Sequence, residues 1–543
     1  LTIRHGGVSF MENVSYLLSL ITFLPLIGIF VLLFVNPQSH NTIRWTTMLF
    51  MLADFVVSLF VYYHFDPTTA SMQFVENRPW VKDWGISYKL GIDGISLFLL
   101  LLTTFLGPIV VLACWEDIKV RVKEFMICLL FLQIGMIGVF VSLDLFLFYV
   151  FWEIMLIPMY LLIGVWGNPA RRLYAAIKFV LYTIVGSLLM LIAILALYFQ
   201  AGQATGVYTF DLLKLYDFAV PVHYQMWLFL AFFLAFAIKV PMFPFHTWLP
   251  DAHTEAPTVG SVVLAAVLLK MGTYGFIRYA IPLFPNAAME AASWICLLAV
   301  IGIIYGAWVA MVQTDMKRLV AFSSVSHLGF VMLGMFAMTV QGVEGSIIQM
   351  INHGLSTGAL FLIVGMVYER RHTRLISEFG GLSRVMPMFA VFFMIFTLSS
   401  IGLPGLNGFV GEFLILVGTF KVYPWYTVFA ASGVIFAAVY MLWMFQRVMF
   451  GEVTNPKNEK LEDMSVREVA VLIPLLVFVV WIGVYPSTFL RPMEPSVKNF
   501  IQQVEKKKAL VLDMENSKAL SGASESQIKM VTSATVQPSD KRY

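Results

Sequence analysis

Charge is what this sequence has least of. Only 12% of its 543 residues are Asp, Glu, Lys or Arg, while 59% are apolar; soluble domains carry roughly 25% charged residues. So little charge cannot cover a water-facing surface, which excludes a soluble core-and-shell enzyme. A net charge of +3 leaves no footprint for nucleic acid. Cysteine is scarcer still: Cys114, Cys128 and Cys296 are scattered through apolar stretches without a CxxC, which argues against a disulfide framework, an iron–sulfur centre or a zinc site. No GxGxxG or Walker sequence occurs, so a nucleotide site has no support. No leader with a cleavage site opens the chain; Leu1–Phe10 is polar and reads as sequence upstream of a start at Met11.

What the chain has instead is long hydrophobic runs, with a mean hydropathy of +0.83. A spanning helix needs about 20 apolar residues, and fourteen such segments can be drawn, near 14–35, 43–63, 91–114, 123–142, 145–166, 173–200, 226–250, 256–281, 290–312, 317–339, 343–369, 386–420, 424–449 and 467–490. They are too long and too continuously apolar for barrel strands, so the expected fold is an all-α polytopic membrane protein. A polar segment at 1–13 precedes the spans and a Lys-rich tail at 491–543 follows them.

Alternate loops carry the basic residues: Lys119, Arg121 and Lys123; Arg171 and Arg172; Lys317 and Arg318; Arg370, Arg371, Arg374 and Arg384; Arg447, Lys457, Lys460 and Arg467. The loops between them are nearly devoid of basic residues, apart from the 64–90 loop with Arg78, Lys82 and Lys89. By the positive-inside rule these loops face the cytoplasm and both termini face outward. The basic loops and the tail suggest a bacterial inner membrane rather than a mitochondrial one. The tail, with Glu505-Lys506-Lys507-Lys508, runs against the rule. It is expected to pack outside, to be partly disordered, or to betray a miscounted span.

Two spans contain breakers. Lys239-Val240-Pro241-Met242-Phe243-Pro244 interrupts the seventh, and Leu403-Pro404-Gly405-Leu406-Asn407-Gly408 the twelfth. Proline removes a helical donor and clashes with the preceding turn, so each span should be two half-helices. Irregular backbone at this depth survives only against protein or a wet cavity. The breaks fall five spans apart, an odd number, so the second unit is inverted relative to the first. That is the sequence pointer to a transporter's ion path.

An ionisable group in mid-membrane costs a few kcal/mol, and six stand out: Glu153, Lys239, Lys270, His327, His353 and Glu412. Lys270 lies roughly 21 Å along the eighth span. Such a row suits proton relay, because burial brings glutamate and lysine toward neutral-pH titration and histidine passes protons through either ring nitrogen. A Glu153–Lys239 pair could switch the lysine between charged and neutral states; it could equally be a structural tie. The histidines, with Ser323, Ser324, Ser326, Asn352 and Ser356, could equally be interhelical glue. Lys178 is placed to snorkel and Arg278 to reach the outer interface, while Asp54 has no nameable partner. His246, Asp251 and His253 match no zinc spacing and read as a polar helix end.

Phe151-Trp152-Glu153, Lys239-Val240-Pro241 through His253, Asp315-Met316-Lys317-Arg318 through His327, and Leu403-Pro404-Gly405 through Gly411-Glu412-Phe413 resemble the antiporter-like subunits of respiratory complex I. The likeness runs over all fourteen spans. It implies spans 1–3 (14–122), two inverted five-helix repeats at 123–281 and 290–449 with broken helices 7 and 12, and a fourteenth helix at 467–490. Glu412, where the L-type and N-type members usually carry lysine, and the lack of a long lateral helix place the chain nearest the M-type branch.

By that resemblance Glu153 and Lys239 are the coupling pair, Lys270 the central carrier, His327 and His353 the connection, and Glu412 the outward terminus. The resemblance implies no cofactor in this chain; FMN, iron–sulfur clusters and the quinone site belong to partner subunits. The other partners are L-type and N-type neighbours, lipid, water and protons. A multisubunit Na+/H+ antiporter, a membrane-bound hydrogenase complex and a non-pumping scaffold are the alternatives.

Overall fold

Continuous apolarity becomes helix wherever a chain crosses lipid, because only the intrahelical ladder satisfies the peptide groups there. The computed structural model describes residues 16–534, with side chains to 514. The polar segment at 1–13 and the start at Met11 lie outside them. Twelve helices among the described residues are long and apolar enough to span a membrane. In chain order the elements are α1 Leu17–Phe34, α2 His40–His64, α3 Leu97–Ala113, α4 Val122–Val141, α5 Leu145–Trp166 and α6 Arg172–Thr205. The seventh span is broken into α7a Val222–Lys239 and α7b Trp248–Glu255. Then follow α8 Thr258–Leu283, α9 Pro285–Met311, α10 Met316–Phe336 and α11 Val340–Arg371. The twelfth is broken into α12a Pro387–Ser400 and α12b Asn407–Phe420, before α13 Pro424–Met449 and α14 Val466–Val484. The third and twelfth expected spans are thus a 17-residue helix and a pair of 14-residue halves, each shorter than a single straight crossing.

The helices sort by which of them meets lipid. The apolar windows of α8, α10 and α11 are wholly buried, whereas that of α2 is 28% buried and those of α6 and α13 are 39%. The three fully enclosed helices carry Lys270, His327 and His353. Their ionisable groups are therefore held away from lipid, at the centre of the bundle.

Local sequence explains the helix starts. Asp144 accepts hydrogen bonds from the amides of Phe146 (3.0 Å) and Leu147 (3.1 Å) at the head of α5. Asp315 does the same for Lys317 (2.8 Å) and Arg318 (3.1 Å) at the head of α10. Both are N-caps that satisfy otherwise unpaired donors. They sit on opposite faces of the bundle: Asp315 on the Arg/Lys-rich face, and Asp144 on the face closed by a hairpin.

That hairpin, β1 Gln73–Val81 paired antiparallel with β2 Ile86–Ile92, falls in a segment read above only as a loop. Gly85 makes its turn at φ +65°. Lys89 pairs with Asp211 at 2.8 Å, and Ser87 donates to Asp144 from its amide (3.0 Å) and its hydroxyl (2.9 Å). The strand is thereby tied to the head of α5.

Two expectations fail, and the tail settles on one of its alternatives. Ser487–Ala534 forms α15, a single helix of 48 residues whose first part packs against the bundle. Phe489, Met493, Val497, Phe500, Val504, Lys507 and Val511 are buried along it. Steps of three and four put them on one face, a stripe hidden by the Lys-rich composition. Arg278 does not reach an interface. It is 5% exposed, pairs with Asp93 and stacks on Tyr274 at 5.4 Å, because a carboxylate 185 residues away in sequence supplies the charge that solvent would have supplied. Lys178 does not snorkel freely, since its Nζ bonds Asp251 at 2.7 Å. Asp54, for which no partner was named, accepts from Gln133 Nε2 at 2.5 Å.

Candidate functional site

The site is built where the two broken spans face the three enclosed helices. Lys239 ends α7a and is 1% exposed. Its Nζ lies 3.2 Å from Met155 Sδ and over the rings of Trp152 and Phe179, each at 5.5 Å. Aromatic faces and a thioether thus surround the ammonium. The expected Glu153–Lys239 pair is not closed: no ion pair within 4.0 Å joins them, and Glu153 Oε1 is buried without a hydrogen-bond partner. Helical geometry gives the reason. The face of α5 turned to Lys239 carries Trp152 and Met155, and Glu153 points about 100° round from Trp152.

Lys270 lies in α8 between two π-helical stretches, Leu264–Leu268 and Phe276–Ala280. The widened turn brings the Ala265 carbonyl, five residues back, within 2.5 Å of Lys270 Nζ. Such π-turns collect at functional positions, and no residue pattern announced these. The other contact of Nζ is His353 Nδ1 on α11, at 2.6 Å. The lysine that lacked a neighbour in sequence therefore has a basic nitrogen as its partner, 83 residues away.

His353 Nε2 has no partner, and the His353 and His327 ring centroids stand 5.8 Å apart. Both rings line a cavity of about 10 Å3, with Gln349, Asn352, Ser356 and Ser400 also in its wall. That is space for about one water molecule, with enough polar partners to hold it. Beyond the gap, His327 Nδ1 meets Glu412 Oε1 at 3.0 Å and His327 Nε2 meets Ser400 Oγ at 3.2 Å. Gln349 Nε2 donates to the same carboxylate oxygen at 3.2 Å.

The interruption of the twelfth span is held open by side chains. Asn352 Nδ2 donates to the Asn407 carbonyl at 2.7 Å. Asn407 Oδ1 accepts from Ser399 (2.5 Å) and Ser356 (3.2 Å). Two glycines of the motif permit the approach. A Cβ on Gly408 would fall 2.0 Å from the Ser399 carbonyl oxygen, and one on Gly411 would fall 2.2 Å from Gln349 Oε1.

The serines of α10 divide. Ser326 donates across to Ile303 (2.9 Å), whereas Ser323 and Ser324 bond Val320 on their own helix (2.7 and 3.3 Å).

The structure thus gathers Lys270, His353, His327 and Glu412 into one run and leaves Glu153 and Lys239 beside it, not joined in a direct ion pair. Gln349, Ser400 and Asn407 belong to the run although the sequence reading passed over them. Only Asn407 carried a signal, through its place in the proline break.

Residues 142–450 match the family described as NADH:quinone oxidoreductase/Mrp antiporter, TM. Over 509 residues the chain is 48% identical to the NADH-quinone oxidoreductase subunit M of Rhodobacter capsulatus, covering 91% of this chain and 97% of that one. The chain belongs to the subunit M family. Its relatives in that family include the NADH-ubiquinone oxidoreductase chain 4 of Marchantia polymorpha, 46% identical over 493 residues, with 91% of this chain and 98% of that one covered. Among solved structures, a chain of the respiratory complex I from Thermus thermophilus superposes with a TM-score of 0.82 at 33% identity, covering 90% of this chain and 99% of that chain. All six candidate residues fall inside the matched 142–450.

Proposed function

We propose that this chain is a proton-translocating membrane subunit of NADH:quinone oxidoreductase that carries no redox chemistry of its own. Flavin, iron–sulfur clusters and quinone lie with partner subunits, and L-type and N-type chains are its membrane neighbours. The bilayer is a bacterial inner membrane, with the Arg/Lys-rich loops cytoplasmic and the hairpin face outward. Spans 4–8 and 9–13 act as two inverted units. Breaks at spans 7 and 12 and caps at Asp144 and Asp315 on opposite faces support that assignment.

The observation that carries the reading is the run from Lys270 to Glu412: 2.6 Å to His353, a one-water gap to His327, and 3.0 Å to Glu412. A proton leaving Lys270 Nζ breaks an N–H bond and forms one at His353 Nδ1. His353 Nε2 then gives its proton to the bridging water, which passes one on to His327, and His327 Nδ1 delivers to Glu412. The run is reset when Glu412 releases its proton outward, the two imidazoles return to their starting tautomers, and Lys270 takes up a fresh proton. Glu153 and Lys239 bias the first step: a charge displaced in the assembled complex brings Glu153 toward Lys239 or releases it, and the field at Lys270 changes with it.

The test is Glu153→Gln in the assembled enzyme. Coupled electron transfer is expected to fall strongly with assembly intact. Normal turnover and normal pumping together would overturn the relay.

A further inference from the structure

Lys270 has polar groups in two directions. Toward α11 stands His353, with an unpartnered Nε2 and a water-sized cavity beside it. Along α8 toward the hairpin face stand Tyr274 and Arg278, each four residues further on and so on much the same side of the helix. They are buried, at 1% and 5% exposure. Groups on that line would short-circuit the relay if they passed protons, because a proton on Lys270 would reach the hairpin face without visiting His353 or Glu412.

The contacts along this line are of a kind that holds a proton still. Arg278 Nε donates to the Tyr274 hydroxyl at 3.1 Å, and that hydroxyl donates to the Phe140 carbonyl at 2.9 Å. The Tyr279 hydroxyl donates to the Ser142 carbonyl at 2.9 Å, and the Tyr216 hydroxyl to the Arg278 carbonyl at 2.6 Å. Arg278 Nη2 donates to Asp93 Oδ1, which also accepts from the amides of Ile95 (3.0 Å) and Ser96 (3.2 Å). A hydrogen-bonded chain conducts only where each member can both give and take a proton. A guanidinium does not give its proton up, and a backbone carbonyl has none to hand on. None of these five side chains leaves a buried nitrogen or oxygen unpartnered, in contrast to His353.

The tail helix closes the cluster. Ser496 Oγ on α15 accepts from the Gly94 amide at 3.0 Å, and a Cβ on Gly94 would fall 2.0 Å from the Pro492 carbonyl oxygen. Further along α15, Lys507 Nζ donates to the Leu215 carbonyl at 3.1 Å. The same helix thus fastens the segments that carry Asp93 and Tyr216, the two groups that grip Arg278 from outside α8.

We propose that Asp93, Tyr274 and Arg278 form a proton plug, a polar cluster that does not conduct and that confines the proton of Lys270 to the His353 branch. The proposal rests on the relay reading above and adds the direction in which a proton is stopped. Arg278 is its deciding member, because its fixed protonation stands between the Tyr274 hydroxyl and the Asp93 carboxylate. Asp93 supplies the charge without which a buried guanidinium would be too costly. All three are positioning residues, which touch no transferred proton.

The experiment uses the assembled enzyme in proteoliposomes. Arg278→Lys keeps a positive partner for Asp93, so a merely structural tie would survive it. A buried lysine can release its proton, however, and its smaller head leaves room for water. Without NADH, Arg278→Lys is expected to raise passive proton flow under an imposed potential about tenfold or more. With NADH, quinone reduction should run on against a gradient that slows the unmodified enzyme. The leak is expected to vanish when Lys270→Met is added. Proton flow as low as in the unmodified enzyme would overturn the plug, and so would a leak that survives Lys270→Met, since it would bypass the relay. Normal pumping in Lys270→Met alone would overturn the relay reading instead. A second variant does not depend on Arg278→Lys assembling. Tyr274→Phe removes a hydroxyl that a conducting path would need and a plug does not, so pumping is expected to stay normal. Slowed pumping in the assembled Tyr274→Phe enzyme would overturn the proposal.

Discussion

His327 Nδ1 and Glu412 Oε1 stand 3.0 Å apart, joining an unbroken helix to the second half of a broken one. The carboxylate also accepts from Gln349 (3.2 Å), so it is the acceptor for two donors at once. Glu412→Gln keeps the volume and loses the titration. It is expected to slow NADH-driven proton transfer about tenfold or more with the complex assembled. Glu412→Ala removes the acceptor altogether, and each buried donor left unpaired costs about 1–3 kcal/mol. Assembly yield on a native gel separates the two variants: near normal for the first and reduced for the second.

Asp93 and Arg278 make a buried pair between the segment before α3 and the end of α8. Removing one member of such a pair leaves an uncompensated charge, at a cost of about 3–5 kcal/mol. Asp93→Ala should therefore lower the thermal stability of the assembled enzyme more than Asp93→Leu combined with Arg278→Met, which removes both charges. Thermal inactivation in detergent measures the difference. Equal losses would show that the pair is not what fixes this corner.

Gly408 has the Ser399 carbonyl where a side chain would be. Gly408→Ala must displace backbone rather than a flexible tip, at a cost of about 1–3 kcal/mol. The displacement pulls Asn407 off Ser399 and Ser356. Turnover is expected to drop with Gly408→Ala, whereas alanine at Gly206, with open space around it, serves as the control only for space, since its φ of +75° carries its own strain. Steady-state quinone reduction compares them.

Lys507 on α15 is held by burial at a pKa of about 7 rather than its usual 10.5, with Asp217 pulling the other way, while its Nζ donates to the Leu215 carbonyl at 3.1 Å. The docked lysine thus sheds its proton at a pH where the undocked one keeps it. Docking releases a proton and strengthens as pH rises from about 7 to about 10.5; below about 7 the full cost of burying the charge opposes it. A spin label at Gln503 should become less mobile between pH 6 and pH 9. The label should be insensitive to pH in Lys507→Leu.

The spans were legible because continuous apolarity has one reading in lipid, and the breaks because proline forces them. Lys270, His327, His353 and Glu412 were legible because each is costly where it stands. What the sequence hid is of three kinds. Partners far apart along the chain, such as Asp93 and Arg278, carry no local sign. Backbone states such as the π-turns around Lys270 depend on neighbours rather than on the residues themselves. The buried stripe of α15 was hidden because one of its members is Lys507, so composition spoke against it. Glu153 and Lys239 lie within electrostatic reach of each other, but Trp152 and Met155 occupy the face nearest the ammonium, which opposite charge alone did not reveal.

The gap between His353 and His327 also determines what can cross it. A space of about 10 Å3 takes one water, and a proton passes through one water by exchanging bonds without any atom travelling. A sodium ion has to travel whole. Here it would need to shed its hydration shell in a chamber walled by two imidazoles and by Gln349, Asn352, Ser356 and Ser400, with no carboxylate among the lining residues. In the relay proposed above, this chamber passes charge by exchange of bonds rather than by movement of a whole ion.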